Sequence, residues 1–200
     1  PMQKIKKPFY IPLRIGLLDR EGNALSLVTD SMTLKNGSST DQIFPITESE
    51  QKIVFREIKS EPIPSLLRSF SAPVQLDYSY RREELYFLMV HDEDEFNRWN
   101  ASQLLAIDVI DELQMTNNGS ELKIPEIFSQ AYIGVLKHVL SERSVDKAMV
   151  AHLLTLPSES FLLEQSEIAD IELIHSVRER ILNYLSKDLF VLFEEIYRQN

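Results

Sequence analysis

Apolar and polar residues alternate in short runs over the first eighty positions of the chain. In residues 9–18, Ile11, Leu13, Ile15 and Leu17 fall at every second position, the period that places side chains on one face of a β-strand. Similar runs lie at 51–58 and 73–78, and weaker candidates at 24–28, 41–46 and 66–70. Short strands with proline-rich connections predict a small β-sandwich. Three strands are too few to close it, so either the weaker candidates pair or part of the domain is missing from the chain.

Beyond residue 94, apolar residues recur at steps of three and four, which is typical of amphipathic helices. The first such pattern runs from Asp94 to about Met115 and places Trp99 on the apolar face, where a core position is expected. The second follows Pro125, which suits the first turn of a helix.

Two further helical patterns complete the chain. Ser144 is a predicted N-cap for a short helix through Leu154. The last pattern begins at Asp170, and we expect it to break or bend near residues 186–188. Amphipathic helices with short connections predict stacked helical hairpins, the beginning of an all-α solenoid.

Proline content and charge both change near Tyr80. Seven of the nine prolines lie in residues 1–80, which carry 10 basic and 9 acidic groups, net +1. Residues 81–200 carry 11 basic and 22 acidic groups, net −11. The joint change predicts a domain boundary at about 80–84.

The overall composition excludes several classes of function. The net charge of −10 disfavours nucleic-acid binding and anionic membrane surfaces, and no apolar run approaches the ~20 residues of a membrane helix. The chain contains no cysteine, so disulfides, thiolate metal sites and a cysteine nucleophile are all excluded. This cysteine usage fits a reducing compartment, and we expect a cytoplasmic protein.

Residues that could carry chemistry are sparse. The sequence has no H-E-x-x-H zinc motif, no G-x-S-x-G elbow and no glycine-rich phosphate loop. Three histidines have a glutamate four residues later: His91/Glu95, His138/Glu142 and His175/Glu179. Such pairs are ordinary helix-surface contacts, and a zinc site needs at least three protein ligands. The acidic run 91–95 is interpreted as the start of a helix. We therefore predict no catalytic, cofactor-binding or metal-binding residue.

One segment resembles a known family. The string from Glu61 to Val74, E-P-I-P-S-L-L-R-S-F-S-A-P-V, followed by Q-L-D-Y, closely resembles the end of the third domain of the bacterial aminopeptidase N family of zinc metallopeptidases. Residues 8–22 are similar to the central hairpin of that domain. Residues 85–89 and 94–101 are similar to the opening of the helical fourth domain.

The resemblance implies an architecture and a role. It assigns residues 1–82 to an immunoglobulin-like sandwich, which we expect to lack its first strand or strands, and residues 83–200 to the first part of an α-helical solenoid. In that family the catalytic domain supplies the H-E-x-x-H motif, a third glutamate ligand and a G-x-M-E-N sequence, and none of these occurs here. The chain would therefore be a non-catalytic fragment that links the catalytic domain to the helical domain covering the active site.

The same resemblance sets the expected partners and cofactor. Zinc is expected in the parent enzyme and not in this fragment. The expected partners are the catalytic domain of the parent chain and, through the parent, peptide substrates, with no nucleic acid and no membrane. We also expect copies of the fragment to self-associate through exposed strand edges. Two alternatives stay open: a stand-alone protein-interaction module, and an independent hydrolase that uses the His–Glu pairs.

Overall fold

The computed structural model describes residues 8–29, 39–116, 123–142, 145–165 and 170–199. They form two compact units. The first contains the described residues up to Ser79 together with Asp92–Asn97, and the second contains Tyr80–His91 and the described residues from Arg98 onward. The short segment Asp92–Asn97 therefore belongs to the first unit although it lies between two stretches of the second in sequence.

The first unit consists of two small antiparallel sheets. Its strands are β1 Ile11–Leu18, β2 Val28–Thr29, β3 Asp41–Ile46, β4 Phe55–Arg56 and β5 Ile63–Leu66. β1 lies between β3 and β5, and β2 pairs with β4. Leu13, Ile15 and Leu17 of β1 face a core built from both sheets, in which the Phe44 and Phe55 rings meet edge to face at 5.6 Å. This arrangement agrees with the predicted sandwich.

Prolines occupy positions in the three-stranded sheet where no backbone donor is required. Pro12 lies opposite Pro45 across the β1–β3 pair, and Pro64 lies opposite Leu17 across the β1–β5 pair. In antiparallel pairing every second residue pair exchanges no hydrogen bonds, so proline is tolerated there. The Gln51 side chain donates to the Pro45 carbonyl at 2.8 Å. Pro45 and the Gln51 side chain both oppose pairing of the edge strand β3 with another chain. Self-association of the fragment stays a prediction.

Several strand predictions need correction. Residues 9–18 and 41–46 form strands as expected, whereas only Phe55 and Arg56 of the 51–58 run do so. Glu57 has a left-handed φ of 62°, which ends that strand. The 73–78 run forms no strand, and its Leu76 and Tyr78 are exposed. Of the 66–70 run, only Leu66 lies in a strand, because the residues after it form a tight turn.

The second unit is helical. Its helices are α1 Arg82–His91, α2 Glu95–Met115, α3 Glu126–Ser141, α4 Lys147–Leu153, α5 Glu159–Gln165, α6 Ile171–Asp188 and α7 Phe190–Arg198, with the first three residues of α2 in the first unit. The expected break near 186–188 is confirmed, since α6 ends at Asp188 and α7 begins at Phe190. None of the helices in the described part of the chain is both long and apolar enough to cross a lipid bilayer.

Two helix predictions were wrong in detail. Trp99 is 37% exposed because α2 buries a neighbouring stripe that contains Ala101, Leu105 and Val109. The N-cap of α4 is Asp146, whose carboxylate accepts from the Ala148 and Met149 amides, whereas Ser144 lies outside the described residues. Helices α1 and α5 were not predicted from the apolar spacing.

Candidate functional site

The three predicted His–Glu pairs do not form a metal site. His91 ends α1 and Glu95 begins α2, so the two residues do not share a helix. Glu142 follows the end of α3 in extended backbone. Among the described residues, no group of three or more histidines and carboxylates comes close enough to hold a metal ion. The described residues of this chain therefore supply no ligand set for a zinc ion, which the family resemblance implies for the parent enzyme.

The histidines have other neighbours. The His91 ring packs on Phe87 with ring centroids 4.8 Å apart. Burial lowers the pKa of His91, and electrostatic interactions with His138 and Arg98 lower it further. His175 lies on α6 with Glu179, but its Nδ1 is hydrogen bonded to Glu159 Oε1 on α5 at 2.8 Å. That bond raises the pKa of His175.

The acidic run 91–95 has a role in the fold of the first unit. Asp94 Oδ1 accepts from the Asn97 amide at 3.0 Å, which caps the beginning of α2 as the sequence predicted. Within this run, Asp92 is only 3% exposed. A buried carboxylate requires partners, and those of Asp92 are the backbone amide of Asp94 and, from the string at 61–74, Ser65 and Arg68.

Asp92 belongs to a connected group of side chains that we call the Arg68 cluster: Asp41, Ser65, Arg68, Asp92 and Asn97. The guanidinium of Arg68, 5% exposed, reaches Asp92 Oδ1 with Nη2 at 3.4 Å and Asp41 Oδ2 with Nε at 3.7 Å. Asn97 Nδ2 donates to the Ser65 hydroxyl at 2.6 Å. Ser65 and Asn97 are also buried, so water does not screen these contacts.

Gly16 makes room for the Arg68 side chain. A β-carbon at position 16 would lie 2.2 Å from Arg68 Nη1 and 3.0 Å from its Cδ. Gly16 pairs with Ser65 across the β1–β5 ladder. The glycine is therefore required by the close approach of the arginine to the strand.

The turn that carries Arg68 is strained. Leu67, Ser69 and Phe70 have φ values of 59°, 53° and 49°. A left-handed conformation costs a non-glycine residue roughly 1–2 kcal/mol. The turn persists because surrounding contacts fix it. Asp94 Oδ2 accepts from both the amide and the hydroxyl of Ser69 at 2.9 Å.

The electrostatics of the cluster indicate a structural role. Burial raises the pKa of Asp92, although hydrogen bonds from Ser65 and the Asp94 amide, with the charge of Arg68, oppose the rise. A serine beside a carboxylate, as Ser65 is beside Asp92, could suggest a catalytic nucleophile. Ser65 is 0% exposed, however, so no substrate reaches its hydroxyl. The cluster can hold backbone segments together and does not present a reactive group.

A cleft of about 670 Å³ opens in the second unit. It is lined by Val139, Leu140, Ser141, Glu142, Val145, Lys147, Ile196 and Gln199. Among the described residues that line the cleft, Glu142 and Lys147 are the charged ones, and they do not match the paired groups of general acid–base catalysis.

The sequence pointed to the segment 61–74 but did not reveal the buried cluster that this segment forms. The 61–74 string carried the family resemblance, and it supplies Ser65 and Arg68. The available signal for Asp92 was its place in an acidic run near the predicted domain boundary. Nothing in the spacing of residues distinguished the buried Asp92 from its exposed neighbour Glu93.

Comparisons with known proteins give a consistent family assignment. A family model described as "Domain of unknown function (DUF3458_C) ARM repeats" matches residues 82–200. A second, described as "Domain of unknown function (DUF3458) Ig-like fold", matches residues 1–79. The expected immunoglobulin-like domain followed by a helical-repeat domain is thereby confirmed.

Curated relatives and a solved structure are similar over nearly the whole chain. Aminopeptidase N of Escherichia coli (strain K12) is 34% identical over 201 residues, covering 100% of this chain and 22% of the relative. Aminopeptidase N of Haemophilus influenzae is 32% identical, covering 98% and 21%. Crystalline Legionella pneumophila aminopeptidase A, in complex with aspartic acid, has a TM-score of 0.71 at 30% identity and covers 94% and 20%. The chain thus spans about a fifth of the length of these relatives, and its recognition as similar to aminopeptidase N is confirmed.

Proposed function

The chain belongs to the DUF3458_C family of ARM-repeat domains, and we propose that it is a non-catalytic region of a zinc-dependent aminopeptidase that removes N-terminal amino acids from peptides. The observation that carries the proposal is the match to aminopeptidase N along 100% of the chain. Both family models occur in the expected order within that match.

The chemistry is assigned to the rest of the parent protein. The 200 residues contain no H-E-x-x-H sequence, and the described histidines and carboxylates do not gather into a ligand set. In the parent enzyme, a bound zinc ion would activate the water that attacks the first peptide bond. Within this proposal, the fragment alone is inactive, and its partners are the catalytic domain of the same chain and, through it, peptides.

The physical role follows from the two units. The Ig-like unit would link the catalytic domain to the helical unit, and the helical unit would begin the cover over the active site. We further propose a cytoplasmic location, which the lack of cysteine supports. Fractionation of cells that produce the parent tests the location, and recovery outside the cytoplasm contradicts it.

The complete parent protein provides the first test. It should hydrolyse alanine p-nitroanilide, lose that activity to a chelator and regain it on addition of zinc. A purified catalytic part of the parent should also bind the 200-residue chain added in trans. Metal-independent hydrolysis by the parent, or no association, would count against the proposal, and the latter would favour a stand-alone interaction module.

The helical unit also has an electrostatic role in this proposal. Residues 81–200, most of which lie in the helical unit, carry a net charge of −11, which attracts basic peptides and repels acidic ones at low salt. Neutralising the exposed Glu172 and Glu195 in the complete parent should lower kcat/KM for a basic peptide more at low salt than at high salt. Asp77→Asn, an exposed change in the first unit, is the matched control. Equal effects at both salt concentrations would contradict this role.

A further inference from the structure

We propose that the strained turn at residues 67–71 keeps its left-handed conformation only while the segment Asp92–Asn97, called the strap below, is docked against it. The family model for the helical repeats begins at residue 82 and therefore includes the strap. The contacts of the strap place it instead in the first unit.

The turn requires an external constraint. Leu67, Ser69 and Phe70 are all left-handed and none is glycine, so each β-carbon is crowded against backbone. Three such residues in one turn persist only where neighbouring structure over-determines them. The Arg14 backbone and guanidinium reach the hydroxyls of Ser71 and Ser69 from β1, at 3.0 and 3.3 Å. These contacts to side chains do not by themselves fix the peptide groups of the turn.

The strap supplies the missing constraint at the strained residues. The Asp94 carboxylate accepts from the Ser69 amide, a charge-assisted bond that fixes the direction of this peptide group. The Phe96 ring packs on Phe70, with centroids 5.2 Å apart. Two of the three left-handed residues are thus held directly by the strap.

The strap is preorganised to dock as a unit. Asp92 Oδ1 accepts from the Asp94 amide at 2.9 Å, and Asp94 Oδ1 accepts from the Asn97 amide at 3.0 Å. Asp92 and Asn97, at its two ends, are buried against Arg68 and Ser65. Because the same carboxylates order the strap and hold the turn, docking and turn formation are coupled.

Native-state hydrogen exchange on the complete 200-residue chain tests the proposal. Asp94→Ala should accelerate exchange of the Ser69 backbone amide roughly tenfold or more, since it removes the charge-assisted hydrogen bond that protects this amide. Glu93→Gln removes a neighbouring exposed charge from the strap and should leave this rate unchanged. The Leu25 amide, bonded to the Leu17 carbonyl at 2.8 Å, reports whether the sandwich stays folded. An unchanged Ser69 rate in Asp94→Ala would overturn the proposal.

A second pair of variants separates strain from loss of a hydrogen bond. Ser69→Gly and Ser69→Ala both remove the hydroxyl, but only glycine adopts the left-handed conformation without strain. If the strap compensates strain, adding Asp94→Ala should accelerate hydrogen exchange of the backbone amide of residue 69. The acceleration should be smaller in the Ser69→Gly variant than in the Ser69→Ala variant. Equal acceleration in both backgrounds would contradict the coupling. The outcome is independent of aminopeptidase activity, so it does not depend on the proposed function.

Discussion

Each unit contains an arginine that contacts two carboxylates, and the two sites differ chiefly in burial. Arg68 has a side chain 6% exposed and reaches Asp92, whose side chain is 0% exposed, and Asp41. Arg82, with 30% of its side chain exposed, reaches Asp108 and Glu112, which are 52% and 43% exposed. The same pair of interactions therefore occurs once in a nearly dry interior and once on a wet helix surface.

The difference shows that burial decides what a charge pair contributes. Exposed ion pairs contribute about 0–1 kcal/mol, because water screens them and the side chains lose entropy. A buried pair contributes little net stability when it forms, but removal of one partner strands the other charge and costs roughly 3–5 kcal/mol. The Arg68 cluster thus makes the sandwich dependent on three distant segments of the sequence.

The largest effect is expected for Arg68→Ala. It leaves Asp92 without its cationic partner, so the free energy of unfolding of the first unit should fall by about 3–5 kcal/mol. Arg82→Ala is the matched control and should cost about 0–1 kcal/mol in the second unit. Urea denaturation, with hydrogen exchange to separate the units, measures both. Equal losses for the two variants would show that burial does not determine the cost of removing the arginine.

A smaller effect is expected for Gly16→Ala. The added β-carbon would lie 2.2 Å from Nη1 of Arg68, which two carboxylates hold in place. The free energy of unfolding of the first unit should therefore fall by about 1–3 kcal/mol. Gly134→Ala is the matched change in α3. Its β-carbon would lie 2.9 Å from Val90 Cγ2, but alanine gains about 1 kcal/mol of helix propensity, so the net change should be near zero. If Gly16→Ala matches Gly134→Ala, Arg68 is not held as tightly as its contacts indicate.

The buried carboxylate predicts a dependence of stability on pH. Because the pKa of Asp92 is raised in the folded state, that state binds the proton more tightly than the unfolded chain. The contribution of Asp92 to stability should therefore fall as pH rises from about 4 through its native pKa. Asp92→Asn should remove this component when the free energy of unfolding is followed against pH. A contribution that grows with pH would contradict the assignment.

The smallest effect concerns the exposed His175. The hydrogen bond to Glu159 raises the pKa of His175. The contribution of His175 to folding stability is therefore present below the ordinary histidine pKa and is lost as pH rises through its pKa in the folded state. Glu159→Gln should lower the His175 pKa measured by NMR, and Glu179→Gln should lower it less. A larger change in Glu179→Gln would restore the pair predicted from sequence spacing.

The sequence predicted periodic elements well and isolated long-range contacts poorly. The run at 9–18 and the pattern from Asp170 succeeded because a single strand or helix buries one face. The 73–78 run failed because alternation does not reveal whether a partner strand exists. The Arg68–Asp92 contact joins residues 24 positions apart across a predicted domain boundary, and no local period marks such a pair.

We propose that the peptidase chemistry lies in the parent protein outside these 200 residues. The most direct measurement is release of p-nitroaniline from alanine and leucine anilides by the purified chain, with and without added zinc, beside the complete parent protein at equal concentration. We expect only the parent protein to release p-nitroaniline. Zinc-dependent turnover by the 200-residue chain would contradict this proposal.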